Sequence, residues 1–345
     1  MLIAELTAPR RFRLVDAPPG PLAPGHVRVR VNAVGICGSD LHSYAEGAVG
    51  DTPCEYPMVL GHEPAGTVVE AGEGVTGWSP GDRAALEPAL YCYHCEFCRA
   101  GRHNICAHIR FLSNPGQPGF FREFVDLPPQ NLLAIPPQLS FEMASLVEPL
   151  AVGLHSMQFA AIQPGETVAL FGAGPIGLLT LACLVVAGAG RIWVVEPVKH
   201  RRELALEMGA DAAIDPHAVD GAAEILAETG GRGVDCAIDC AAKENTTNQA
   251  IRAARNGGRV VLTGIHSESL VPFEVSPMRR KELAVFNCRR SNHESHDALG
   301  LLVDHIDWFA PLVTHARPLS EIGDAFAIAE SYSDGVGKMV IRTGA

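Results

Sequence analysis

Cys92, Cys95, Cys98 and Cys106 stand in the spacing C-x2-C-x2-C-x7-C. Four thiolates so close together can surround one zinc ion tetrahedrally, because two-residue steps let a tight loop aim several sulfurs at one point. The alternative is a pair of disulfides, a dense pairing that is rare outside secreted chains. A site with all four positions filled by cysteine has no vacancy for water or substrate, so its expected role is structural. A second motif, Gly172-Ala173-Gly174-Pro175-Ile176-Gly177, reads G-x-G-x-x-G between a strand-like and a helix-like run. Gly172 permits the tight turn, and Gly174 lets a pyrophosphate reach the backbone. Gly177 lets helix and strand pack closely, with the helix N-terminus facing the phosphates. Glu196, nineteen residues beyond Gly177, ends the next apolar run. A carboxylate there accepts the ribose hydroxyls of NAD and repels the 2′-phosphate of NADP. Lys199, Arg201 and Arg202 lie just downstream and would hold a 2′-phosphate if Glu196 turned away, so NADP stays open as the less favoured cofactor.

A third set is scattered. Cys37 opens Cys37-Gly38-Ser39-Asp40-Leu41-His42, His62 and Glu63 follow Gly61, and Glu148 precedes Pro149-Leu150. Each alone has a plain structural reading, as a buried thiol or a satisfied polar group. Beside a nicotinamide site, they form the Cys/His/carboxylate mixture of a catalytic zinc with an open position.

The elements that must position these residues divide the chain. Val27-Arg28-Val29-Arg30-Val31 alternates at period 2, as a half-buried strand does. Gly66–Glu70 and Arg83–Leu86 read as further short strands between Gly and Pro turns, which predicts a β-rich first part. Near residue 150 the texture changes to strand–helix alternation. Val168–Phe171, Ile192–Val195, Val234–Ile238 and Val260–Leu262 are strand-like. Pro175–Ala187 and Arg201–Met208 are helix-like. Such alternation predicts an α/β fold with parallel strands and helices on both faces. Leu299–Val303 suggests a late helix and Lys338–Ile341 a closing strand.

Composition narrows the class. The chain has 345 residues, 27 Lys+Arg and 39 Asp+Glu, a net charge of −12 with no basic block, which argues against a nucleic-acid surface. The N-terminus has no signal-peptide pattern, and the most apolar stretch, 176–189, is too short to span a bilayer. The ten cysteines are expected to be reduced, in a cytoplasmic protein.

The blocks Gly35–His42, Gly61-His62-Glu63, the four-cysteine run with Gly101 and Asn104 inside it, Glu148-Pro149-Leu150 and the glycine fingerprint occur together and in order. They resemble the zinc-containing medium-chain alcohol and polyol dehydrogenases. Glu148–His155 makes the sorbitol-dehydrogenase-like subgroup the nearest, with threonine and glucose dehydrogenases sharing much of the pattern. The resemblance implies a GroES-like β-rich catalytic domain over 1–150 with a structural zinc lobe at about 90–107. It implies a Rossmann doubly wound parallel-sheet domain over 151–287 and a return segment over 288–345. It also implies two zinc ions per chain, NAD as hydride acceptor, a small alcohol substrate and a homo-oligomer, dimer or tetramer.

By the same resemblance Cys37 and His62 are fixed ligands of the catalytic zinc, while Glu63 and Glu148 compete to complete the set. Ser39 is placed to take the proton of the substrate hydroxyl and His42 to pass it on, or Glu148 acts as the base. Gly172, Gly174, Pro175, Ile176, Gly177, Glu196 and Arg201 form the cofactor site. Arg289 and Asn292 fit the outer positions of an Arg-aromatic-Asn substrate motif, in which Arg290 replaces the aromatic residue. Two adjacent guanidinium groups suit a substrate carboxylate or phosphate, so a sugar acid or phosphorylated polyol is the alternative to a neutral polyol. A solvated basic turn is the plain reading of the same residues.

Overall fold

The computed structural model describes residues 1–243 and 245–344. Two compact units emerge: Met1–Glu148 with Ser295–Ala345, and Pro149–Glu294. Among the described residues no helix is long and apolar enough to cross a membrane.

The first unit is built on a seven-stranded sheet. Its path runs Leu132–Ala134, Arg83–Leu86, Glu63–Ala71, Val27–Gly35, Lys338–Arg342 and Val313–Pro318, with Phe124–Leu127 also on Val27–Gly35. Alternation in Val27–Gly35 places Val27, Val29 and Val31 in the core and exposes Arg30. Phe120, Phe121 and Phe326 fill the same core. Two register facts matter for function. Gly35 pairs with Glu63, and Val340 of the C-terminal strand pairs with Gly35 on its other side. The ends of three strands, from the beginning and the end of the chain, therefore meet at one place.

The second unit is a six-stranded, all-parallel sheet in the order Ala212–Ile214, Ile192–Val195, Val168–Phe171, Val234–Asp239, Ala254–Leu262 and Ala284–Asn287. This is the 3-2-1-4-5-6 order of a Rossmann domain. Val168–Phe171 and Ile192–Val195 are buried at every position, as a sheet covered on both faces requires. The unit does not close at residue 287 but runs on to Glu294. His155 Nδ1 and Glu294 Oε1 lie 2.8 Å apart, and Cys288 donates weakly to the Val152 carbonyl, so the residues after the last strand fold back onto the helix Val147–Ala160.

One ion cluster ties neighbouring strands of this sheet. Asp235 accepts from Arg232 at 2.7 Å, Arg255 at 2.6 Å and the Thr167 hydroxyl at 2.8 Å. Burial alone would raise its pKa, but these donors outweigh burial and hold it below the usual carboxylate range. A depressed native pKa adds stability above the unfolded value, about 3.9, and loses it as pH falls toward the native value. Asp235→Asn is expected to cost about 1–2 kcal/mol at pH 7. Urea unfolding of both proteins should show the gap closing below about pH 4; a gap that widened in acid would contradict the assignment.

Candidate metal and nucleotide sites

The four cysteines come together as their spacing requires. Cys92 and Cys98 sulfurs are 3.9 Å apart, Cys95 and Cys106 3.9 Å, and Cys92 and Cys106 3.5 Å. Sulfurs placed about 2.3 Å from a shared centre would have tetrahedral edges of about 3.8 Å. These separations fit one zinc and are far too long for disulfides; all four are free cysteines. Backbone N–H groups of Cys95, Cys98, Cys92 and His108 point at the sulfurs. Hydrogen bonds from the Cys98 N–H, the largest influence, and the Ala107 N–H, together with neighbouring thiols, lower the Cys95 thiol to about 6. Burial pushes Cys98 of the same loop up to about 12, as it does the core thiols Cys183, Cys236 and Cys240.

The second cluster arises from strand register. Cys37 caps the helix Gly38–Glu46 just beyond the strand Val27–Gly35, and His62 and Glu63 sit where Glu63–Ala71 begins. Because Gly35 faces Glu63, donor atoms of Cys37, His62 and Glu63 converge within 4.8 Å of one another. His62 and Glu63 are buried and Cys37 is half-buried. Glu63 Oε1 has no hydrogen-bond partner, an arrangement that costs energy in a buried carboxylate unless a cation completes it. A thiolate, an imidazole and such an oxygen fit zinc. Glu148, at the start of Val147–Ala160, is not in this cluster.

Asp40, from the same helix turn, orders the site. Its Oδ2 accepts the Cys37 N–H at 3.1 Å. Its Oδ1 accepts from the Gly61 N–H at 3.1 Å and the Ser113 hydroxyl at 3.2 Å, and lies 3.3 Å from His62 Nδ1. Burial opposes charge on both groups, yet their attraction wins: His62 is raised well above its ordinary value and Asp40 is lowered. Ser39 Oγ is 3.5 Å from His62 Nε2, and His42 Nδ1 is 3.0 Å from Glu46.

In the nucleotide site, Gly172 adopts φ +95° and Gly174 caps the helix Pro175–Val186, with Pro175 in its first turn and Ile176 following. A Cβ on Gly177 would stand 2.0 Å from the Gly172 carbonyl oxygen, so only glycine fits there. Glu196 is buried and accepts from Ala173 N–H at 2.7 Å and Val198 N–H at 2.9 Å, which fixes it beside the glycine turn. Arg201 is buried with Nη1 3.8 Å from where a Gly174 side chain would begin. Arg202 is engaged by Asp215 at 2.8 Å, and Lys199 is exposed.

Residues 23–137 match the alcohol dehydrogenase GroES-like domain, and residues 175–304 match the zinc-binding dehydrogenase domain. A sorbitol dehydrogenase of Bacillus subtilis is 33% identical over 99% of this chain and 97% of its own. The chain belongs to the zinc-containing medium-chain alcohol and polyol dehydrogenase family. Among solved structures, 2R,3R-butanediol dehydrogenase of Bacillus subtilis superposes with a TM-score of 0.88 at 30% identity, covering 99% of each chain. A zinc-binding dehydrogenase of Sinorhizobium meliloti bound to NADP gives 0.89 at 31%, again covering 99% of each. The chain is thus an oxidoreductase that uses zinc and a nicotinamide dinucleotide.

In this dehydrogenase Arg289 is exposed and Arg290 half-buried. Arg290 and His293 both take left-handed backbone conformations, φ +57° and +78°. Glu294 holds this strained loop through His155 and the Asn292 N–H. Sequence reasoning left two residues without a role. Asp40 lies within Cys37-Gly38-Ser39-Asp40-Leu41-His42, and its three-residue offset from Cys37 on a helix N-terminus was its signal. Lys338 read only as part of a strand; an inward-facing lysine in Lys338-Met339-Val340-Ile341 was its signal. Lys338 forms a buried ion pair with Glu63, with side-chain exposures of 2% and 1%.

Proposed function

We propose that the enzyme oxidises a polyol or secondary alcohol to the ketone with NAD. The convergence of Cys37, His62 and Glu63, with Glu63 Oε1 unpartnered, carries this reading. Cys37 and His62 hold the catalytic zinc, with Glu63 or Glu148 completing the set, and Cys92, Cys95, Cys98 and Cys106 hold a structural zinc. When bound, zinc supplies the Lewis acidity that favours ionisation of the substrate hydroxyl, and the nicotinamide accepts the hydride. Ser39 relays the hydroxyl proton, taking it on Oγ while giving up its own, and His42, already hydrogen-bonded to Glu46, receives the relayed proton and passes it toward solvent. Asp40 holds the imidazole of His62 in place. Glu196 and the glycine turn orient the dinucleotide, with Arg201 beside them. The position of Glu196 favours NAD, since a 2′-phosphate would meet its carboxylate.

The similarity to sorbitol and butanediol dehydrogenases supports a vicinal diol or polyol as substrate. Arg289 and Arg290 support a second reading, an acidic substrate such as a sugar acid or phosphorylated polyol. An NAD-reduction screen over neutral polyols, aldoses, sugar acids, polyol phosphates and threonine decides between them. For a neutral substrate, Arg290→Ala should leave kcat/KM within about threefold; for an acidic one it should lower it by about tenfold or more. No activity on any alcohol in the screen would sink the proposal. A cytoplasmic homo-oligomer is part of the same reading. The edge strand Ala284–Asn287 offers a half-exposed surface for a second copy.

A further inference from the structure

Lys338 stands behind the metal cluster with no place in the mechanism so far. Its ammonium contacts Glu63 Oε2 and donates to the Ile36 carbonyl at 2.9 Å, one residue from Cys37. Room for the pair is made by Gly35: a Cβ there would lie 2.0 Å from Glu63 Oε2 and 2.7 Å from Lys338 Cε. Among the described residues neither oxygen of Glu63 accepts a hydrogen bond, but Oε2 is in ion-pair contact with the lysine, whereas Oε1 faces no cation of the protein and is left for the metal.

Two full charges are rarely buried side by side without a use, because desolvating both costs more than most pairs return. Resting on the metal reading above, we propose that Lys338 is a positioning residue that cancels the charge of Glu63, so that the zinc site keeps enough positive charge to prefer an anionic over a neutral ligand. The thiolate of Cys37 and the carboxylate of Glu63 together would neutralise a divalent ion. Lys338 restores one positive charge, which the ionised substrate hydroxyl then balances. Asp40 also adds a negative charge nearby, but it is common to every variant compared below and drops out. The lysine also orients Glu63 toward the metal through Oε1 alone. A purely structural role, pinning the C-terminal strand Lys338–Arg342 to the sheet, would affect all ligands alike.

The test uses full-length protein loaded with cobalt(II), whose visible bands report ligands entering the catalytic position. Azide is the anionic probe and imidazole the neutral one, each titrated at one fixed pH after elemental analysis of metal content. Lys338→Met should lower the ratio of azide to imidazole affinity at least about tenfold. Lys338→Arg, which keeps the charge, should hold the ratio within about threefold. Lys338→Gln, which removes the charge but keeps a polar side chain, should lower the ratio as Lys338→Met does. Should Lys338→Met not fold, Lys338→Gln repeats the same charge removal with an amide still able to donate to Glu63. Equal weakening of both probes, or an unmoved ratio with two metal ions bound, overturns the role of Lys338. If the wild-type chain binds only one metal ion, the catalytic-metal reading itself fails and this inference with it.

Discussion

Cys37→Ser is expected to lower kcat/KM for alcohol oxidation by about 10³-fold or more while leaving the protein folded. Serine is nearly isosteric, but its hydroxyl does not ionise near neutral pH and is a poor zinc ligand. Loss of Lewis-acid stabilisation worth several kcal/mol corresponds to about three powers of ten in rate. Cys37 is half-buried and caps a helix that Asp40 also holds by its bond to the Cys37 N–H. The cap therefore survives, and the unfolding midpoint should move by only a few degrees. Metal analysis should fall from about two zinc ions per chain to about one. Near-normal turnover in metal-free buffer would refute a catalytic zinc on Cys37. Loss of both ions together would mean that the substitution acts through folding.

Cys95→Ser should behave in the opposite way. Cys95 is buried, caps the short helix Glu96–Arg99 and faces the sulfur of Cys106 at 3.9 Å. The core of its lobe is the cysteine cluster itself, with only Tyr91, Phe97 and Ile109 packed against it. So small a hydrophobic cluster cannot hold the loop shut alone, and under the proposed assignment a bound zinc would take over that task. Losing one of four ligands is expected to release the structural zinc and lower the unfolding midpoint by about 10 °C or more. At low temperature kcat should stay within about tenfold of wild type, since Cys37, His62 and Glu63 lie on other elements. A variant with unchanged midpoint and full zinc content would show that the lobe does not depend on its metal. Together, the two substitutions separate a zinc that does chemistry from one that holds a loop.

Much of the fold was legible because its signals are local. Arg83–Leu86, Val168–Phe171 and Ile192–Val195 have the same limits in structure as in the apolar pattern. Glycine punctuation and burial on both faces leave such runs little choice. Ala254–Leu262 begins six residues earlier than its apolar part, because Arg255, Asn256 and Gly257 carry no strand signal. The hairpin of Leu2–Ala8 and Arg11–Asp16 and the strand Val313–Pro318 went unread, their patterns being mixed or largely exposed. Residues 288–294 read as the start of the return segment. They are tied to the second unit by the His155–Glu294 pair, partners 139 positions apart, and by Cys288 on Val152.

The sequence by itself determined the chemistry available to this protein. The four-cysteine loop, the glycine turn with Glu196, and the Cys, His and Glu donors are spelled out in residue types and short spacings. Local covalent geometry is enough to bring such close neighbours together. Tertiary structure alone decided which donors share a site and what surrounds them. Register between Val27–Gly35 and Glu63–Ala71 puts Glu63 with Cys37 and His62, and leaves Glu148 outside that cluster. The last strand then delivers Lys338 to Glu63 from the far end of the chain. No spacing rule reaches that far, because the contact is set by strand pairing and by the room at Gly35.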